Sequence, residues 1–392
     1  MEYKEYELGE LLYYEQPTPY IVESTDYNDA YETPVLTAGK SFILGYTDEK
    51  EGIYDQLPVI IFDDFTTASQ YVNFKFKVKS SAMKILTPVT ELVLPKYIYY
   101  RIQIIQFDHS THKRYWIQQY SKIRVSIPPI PEQERIVARI EDLFSQLDAG
   151  VETLKKTKAQ LAVYRQAVLK EAFEGRLTQA FREENGLPDW KTISITQAIV
   201  QRKNALKAGP FGSALKKECY VPSGYKVYGQ EQVIANNENI GNYYIDEEKY
   251  QELISCAIAP HDILISLVGT VGKVLVLSDN CLPGIVNPRL IKVTLDEKIM
   301  MPYFFKYYFE SAYSKSLYKK KAHGATMDVL NMGMIKELPF PLCDIQEQGQ
   351  VIKEIESRLS VCDSIEQTVD TALQQAEAMR QSILKDAFEG RL

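Results

Sequence analysis

Lys170–Leu177 reads KEAFEGRL, and Lys385–Leu392 reads KDAFEGRL. Each copy closes an apolar-periodic segment, the first from Glu132 to Glu174 and the second from Glu347 to Glu389. One constant offset aligns Gln133 with Gln348, Ile140 with Ile355, Asp148 with Asp363 and Gly175 with Gly390 without a gap. In the first copy Ile136, Ile140, Leu143, Leu147, Val151, Leu154, Leu161 and Val168 step by threes, fours and sevens, which is one stripe on a helix. Val351, Ile355, Leu359, Cys362, Ile365, Val369, Ala372, Ala376, Met379, Ile383 and Ala387 do the same in the second. Gly175 and Gly390 stand where a helix favours a left-handed C′ residue, and Pro131 sits at the mouth of the first segment. Each helix would run roughly 65 Å at 1.5 Å per residue, and a seam that narrow cannot be buried alone. Its nearest partner is the other copy.

The rest of the chain is globular in composition. At 392 residues, 45% of them hydrophobic, it can hold two or three domains with real cores. No window approaches eighteen apolar residues, and MEYKEYELGE has neither a basic nor an apolar leader region, so a soluble, cytoplasmic chain with no membrane partner is expected. Cys219, Cys256, Cys281, Cys343 and Cys362 are scattered without a CxxC pair, which argues against a disulfide frame or a zinc knuckle. The net charge of −7 hides a segregation: residues 1–69 hold 3 Lys/Arg against 15 Asp/Glu, residues 70–127 hold 10 against 2, and residues 191–340 hold 18 against 14. Local basic faces, not the total, are what a polyanion would meet.

Taken in order, residues 1–130 alternate strand-like runs with turns. VIIFDDFTT (Val59–Thr67) and FKFKVKSS (Phe74–Ser81) read as strands, and LPKYIYYRIQII (Leu94–Ile105) as a short helix or a buried strand. FDHSTHKRYW follows, then SKIRVSIP, then a helical spacer over 131–177. LTQAFREENGLPDW, with its Gly and Pro, marks a linker whose core is 178–189. Residues 190–344 repeat the order of the first globe. DILISLVGTVGKVLVL (Asp262–Leu277) stands where VIIFDDFTT stood, RLIKV (Arg289–Val293) where MKIL stood, and MPYFFKYYFES (Met301–Ser311) where LPKYIYYRIQ stood. KKKAHGATMDVLNMG mirrors the FDHSTHKRYW loop, and a second spacer fills 345–392. The expected fold class is α+β: two α/β globes separated by two long helices packed as an antiparallel coiled coil with pseudo-twofold symmetry.

This four-part order, the IPPIPEQE mouth, the EAFEGRL endings, and AGPFGSALKK followed by SGYKVYGQEQV resemble the DNA-specificity subunit of Type I restriction-modification systems over essentially the whole chain. The resemblance implies that each globe is a target recognition domain reading one half of a split double-stranded DNA site. It also implies that the helices form a spacer docking two adenine-N6 methyltransferase subunits, alongside two restriction subunits that act as motor-nucleases. S-adenosylmethionine would then sit on the methyltransferase, ATP and Mg on the motor-nuclease, and no cofactor, metal or catalytic residue on this chain. The acidic second spacer, with 5 Lys/Arg and 9 Asp/Glu in residues 345–392, and hydrophobic positions outside the seam are where partner helices are expected.

Candidate DNA contacts follow from residue type and place. The loop Phe107–Trp116 gathers His109, Ser110, Thr111, His112, Lys113 and Arg114. Its counterpart gathers Lys319, Lys320, Lys321, His323, Gly324, Ala325 and Thr326. Lys and Arg neutralise phosphates, while Ser, Thr, His and Arg also reach base edges. Such charge runs are ordinarily solvated loops, but their recurrence at one place in both globes favours DNA contact. Lys75, Lys77 and Lys79 would share one strand face, opposite Phe74, Phe76 and Val78, as a phosphate-facing stripe or merely a solubilising face. Residues 209–217, with Phe211, Gly212, Ser213, Lys216 and Lys217, are either a glycine-permitted close approach to DNA or a turn.

Enzyme motifs fail on inspection. GTVGKV (Gly269–Val274) is too short between its glycines for a phosphate loop, and Val274 stands where Ser or Thr would touch magnesium. Asn287-Pro288-Arg289-Leu290 lacks the second proline and the aromatic of an adenine-methyltransferase NPPY motif. His109 and His112 have no nearby third ligand, and Asp63-Asp64 reads as polar strand-end chemistry. Three readings compete with the specificity subunit: a subunit of a related modification-only or phage-defence system, a two-headed protein scaffold without DNA binding, and a nuclease acting alone.

Overall fold

The computed structural model describes residues 3–39, 41–107, 114–268, 270–321 and 330–392, leaving aside the side chains of 212 and 318–321. Its two compact units are residues 1–155 with 370–392, and residues 156–369, so the division falls within both long helices.

In the first unit a four-stranded antiparallel sheet runs in the order Leu12–Glu15, Met83–Pro88, Val59–Asp63, Ser69–Val72. VIIFD occupies the middle because its first four residues are fully buried, on both faces of the sheet. A three-stranded sheet orders Ile43–Thr47, Thr33–Leu36 and Lys77–Val78, the last pair parallel. Lys4–Glu7 pairs with Arg124–Ile127 at the foot of the first long helix.

The second unit has the same three sheets. Its four-stranded order is Leu206–Ala208, Leu290–Val293, Ile263–Ser266, Val274–Val276, and Gly284–Val286 runs parallel to Tyr225–Tyr228 in the three-stranded sheet. Lys191–Ser194 pairs with Pro339–Leu342. The strand correspondences expected from the sequence are therefore those of the structure. The two tyrosine-rich stretches are both helices, Pro95–Gln103 and Pro302–Glu310, each with proline at its first turn. They bury Tyr97, Ile98 and Ile102 in one unit and Phe304, Phe305, Tyr308 and Phe309 in the other.

The long helices span Ile130–Phe173 and Ile345–Phe388. Gly175 and Gly390 adopt φ of +72° and +74°. The Arg176 amide donates to Glu171 O and the Arg391 amide to Asp386 O, the six-to-one bond of a Schellman stop, in both copies. Within the first unit the helices run antiparallel: Arg135 donates to Leu392 O at 3.4 Å, and Arg380 pairs with Asp148. Within the second, Arg165 meets Asp363 at 2.7 Å and Glu366 at 2.9 Å, while Lys158 lies 3.6 Å from Glu366.

Each globe holds the start of one helix and the end of the other. Gln133, fully buried, accepts from the Leu94 amide (2.8 Å) and donates to Leu92 O (3.1 Å) and Pro128 O (2.9 Å). Gln348 repeats this with the Met301 amide (2.9 Å), Ile299 O (2.8 Å) and Cys343 O (3.1 Å). At the other end Phe388 packs edge-on against Tyr97 at 5.2 Å under the Arg101 guanidinium, and Phe173 packs against Phe304 and Tyr308, both at 5.3 Å.

Three expectations need correction. The seam is narrower than the apolar stripe: Ile365 and Met379 are 40% and 53% exposed, since one neighbouring helix covers only part of another's circumference. FKFKVKSS yields only the two-residue strand Lys77–Val78, because its partner Thr33–Leu36 meets it only at Val35 and Leu36. Inside the linker, Gln179–Glu184 forms a short helix, tied down by Thr178 Oγ1, which donates to the buried Glu347 at 2.7 Å.

Candidate nucleic-acid interface

The chain re-enters each globe after its basic stretch at matching positions. In the first globe the Asp64 amide donates to Ala82 O (3.0 Å) and Asp64 O accepts from the Tyr115 amide (2.9 Å), fixing the chain just after Arg114. In the second the Leu267 amide donates to Arg289 O (3.0 Å) and Leu267 O accepts from the Leu330 amide (3.1 Å). Tyr115 and Leu330 are related by the same offset as the helix endings. His109, Thr111, His112, Lys113, His323 and Thr326 lie outside the described residues. Lys319, Lys320 and Lys321 end the helix Ala312–Lys321, with side chains outside the described set. Arg114 is exposed at the loop's far end.

Beneath Arg114 lies a device that sequence reasoning took for strand-end polarity. Asp64 is 1% exposed; its Oδ1 accepts the Trp116 amide at 2.8 Å, and its Oδ2 stands 3.6 Å from Nζ of the fully buried Lys84. Lys84 also donates to Ser81 O (2.9 Å) and Gln16 Oε1 (3.2 Å). Burial lowers the Lys84 ammonium below its ordinary range, the Asp64 carboxylate opposes that, and the positive charge of Arg114 adds to it. Asp63 next door caps the strand end, its Oδ1 accepting from the Phe65 and Thr66 amides. The sequence signal was a doubled aspartate at a strand end, but its lysine partner lies on the adjacent strand, where only register reveals it.

The stripe Lys75, Lys77, Lys79 is not one exposed face. Lys75 and Lys79 are exposed, but Lys77 is 4% exposed and donates to Glu51 O at 2.7 Å while pairing with Glu49 at 2.7 Å. Burial pushes the Glu49 carboxyl up, yet hydrogen bonds from Lys77 and the Ser24 and Glu23 amides outweigh it and hold the group below its usual range. Lys77 is therefore a structural cation. Lys226, Lys292 and Lys306 are likewise buried against Glu238 O, Asp262 and Asn236. Counting lysines along the chain overstates what a phosphate can reach.

In the second globe Phe211 is 88% exposed, and Ser213, Lys216 and Lys217, close to it in sequence, are exposed as well. The close approach that Gly209 permits is internal: a Cβ there would lie 1.8 Å from Asn287 O, so the glycine seats one turn on another. Among the described residues no group of three or more His, Cys, Asp or Glu is placed to hold a metal, and no helix is long and apolar enough to cross a membrane.

A duplicated pair of sheet-built globes, each with the residue that follows its basic stretch bonded just past the same strand, and with duplicated helices, matches a known pattern. A family model described as the Type I restriction modification DNA specificity domain matches residues 1–161 and 211–375. The chain belongs to this family. The specificity subunit of the Escherichia coli Type I restriction enzyme EcoR124I/EcoR124II is 33% identical over 376 residues, covering 91% of this chain and 87% of the relative. The StySPI specificity subunit of Salmonella potsdam is 26% identical over 281 residues, covering 70% of this chain and 58% of that one. Among solved structures, the HsdS subunit from Thermoanaerobacter tengcongensis superposes with a TM-score of 0.53 at 14% identity, over 100% of this chain and 97% of that chain. A chain from a structure of complex assembly and conformational transition in the type I R-M system reaches 0.70, also at 14% identity, over 100% and 98%. The family resemblance read from the helix endings and the order of the globes holds, as does the fold class.

Proposed function

We propose that this chain is the non-catalytic, DNA-addressing subunit of a Type I restriction-modification complex: each globe reads half of a bipartite duplex site. The paired helices bind two adenine-N6 methyltransferase subunits, and two motor-nuclease subunits complete the assembly. S-adenosylmethionine belongs to the methyltransferase, and ATP and Mg to the motor-nuclease. The complex works on cytoplasmic DNA. The observation that carries this reading is the repetition, at one constant offset, of a basic loop stem on a strand end and of a buried glutamine that ties each globe to its helix. One polypeptide then supplies the two similar reading heads that dimeric DNA-binding proteins obtain from two subunits. Large hydrophobic side chains left exposed on the helices, among them Val163, Tyr164, Val361 and Met379, supply area for partner helices.

Adenine methylation mapped genome-wide with the operon intact, and with this gene alone removed, tests the reading. A bipartite methylated motif that disappears with the gene is expected, and methylation that persists would overturn it. Binding across a salt series separates the protein-scaffold alternative, because phosphate contacts give a steep negative slope of log affinity against log salt.

A further inference from the structure

Three turns meet at the end of the second globe where the Lys319–Lys321 loop stem returns at Leu330. The first carries Gly209 and the exposed Phe211, the second Gly229 and Gln230, and the third Asn287–Arg289. They are wedged together: a Cβ on Gly209 would meet Asn287 O at 1.8 Å, and one on Gly229 would meet Asn287 Nδ2 at 2.9 Å. The Asn287 amide donates to Tyr228 O and the Gly209 amide to Leu290 O, both at 2.9 Å. Asn287 Oδ1 accepts from the Arg289 amide at 2.9 Å, which sets that residue's backbone.

From this rigid seat the Arg289 side chain projects to the surface, held by a relay that begins in the core. Ser266 is fully buried, and its Oγ accepts from Gln230 Nε2 at 2.9 Å. The same Nε2 donates to Val268 O, an acceptor only, so the Gln230 amide is oriented with Oε1 outward. Oε1 accepts from Arg289 Nη1 at 3.4 Å. The partner is neutral, and Arg289 makes no ion pair among the described residues, unlike Arg165 or Arg380 on the helices. A guanidinium aimed through one nitrogen, with no other hydrogen-bond partner and no carboxylate partner among the described residues, has the geometry for bidentate donation to a pair of acceptors. In a DNA groove that pair is O6 and N7 of guanine.

We infer that Arg289, positioned by Gln230 and Ser266, is a base-reading residue of the second globe and that it reads a guanine. This rests on the proposed function and assigns a residue to it. The test uses the full 392-residue chain with its methyltransferase subunit and a randomised duplex library sorted by bound fraction. Arg289→Ala should lower discrimination at one guanine of one half-site by about 5- to 150-fold and leave the other half-site intact. Arg289→Lys keeps the charge but not the fork and should lose the same discrimination while retaining most of the salt slope; Gln230→Leu should lose part of it. Uniform weakening over all sequences with a shallower salt slope would make Arg289 a phosphate contact and overturn the inference, as would unchanged preference or a lost preference at a base other than guanine. If the unaltered chain selects no sequence, it is the proposed function that fails.

Discussion

Replacing Gln133 with methionine keeps volume but removes the three hydrogen bonds through which Gln133 ties the start of the first long helix to its globe. The Pro128 carbonyl is buried and would be stranded, while the Leu94 amide and Leu92 carbonyl are half-buried and partly rehydrate. A stranded buried group costs about 1–3 kcal/mol and each rehydrated one about 0.5–1 kcal/mol, so the substitution should cost about 3 kcal/mol locally. That corresponds to about a hundredfold loss of protection at 1.4 kcal/mol per tenfold. Native-state hydrogen exchange reads it at the Leu94 amide, which donates to Gln133 Oε1, and the duplicate supplies the control. Gln133→Met should accelerate Leu94 and leave Met301 unchanged, whereas Gln348→Met should do the reverse. A change below about threefold at the matching amide, or equal acceleration at both, would refute the reasoning.

The remaining predictions concern charge. Lys77→Met should cost about 3 kcal/mol in urea unfolding, because Glu49 is left without its cation, yet leave the salt slope of DNA binding unchanged; a shallower slope with normal stability would contradict its structural role. Lys319, Lys320 and Lys321 changed together to alanine should flatten the slope by roughly 3 if each meets a phosphate; unchanged binding removes that loop from the interface. His261, hydrogen-bonded to Glu297 at 2.7 Å and to Asp279 at 3.0 Å, is held above its ordinary value of 6.5 chiefly by the Glu297 bond. Its contribution is full below the unfolded value and is lost as pH rises through the raised folded one. The free energy of urea unfolding should therefore fall between pH 6.5 and alkaline pH, by less than about 1 kcal/mol for so exposed a pair, and His261→Gln should abolish that fall.

Much of the architecture was legible because a duplicated sequence carries its own control. Each long helix begins two residues before its expected start and ends one before its expected end, since the stripe and the C′ glycines act locally. The correspondence of strands between the globes was legible too, whereas the order of strands within each sheet was not. The reading surface was not legible in the same way. Alternation made Lys77 look exposed, but Glu49, from a separate stretch of the chain, draws it inward. Asp64 and Lys84 became one device only through strand register. In sequence Arg289 reads only as part of a failed methyltransferase motif, because its relay to Gln230 and Ser266 joins three segments far apart in the chain. Long-range pairing of polar groups leaves no periodicity to read.

The claim that two similar heads on one chain read separate half-sites is tested most directly by exchanging residues 190–344 for the same segment of a relative with a different target, and mapping methylated adenines in cells carrying the hybrid. The expected motif keeps one half unchanged, replaces the other and preserves the gap. A motif altered in both halves, or in neither, would contradict it.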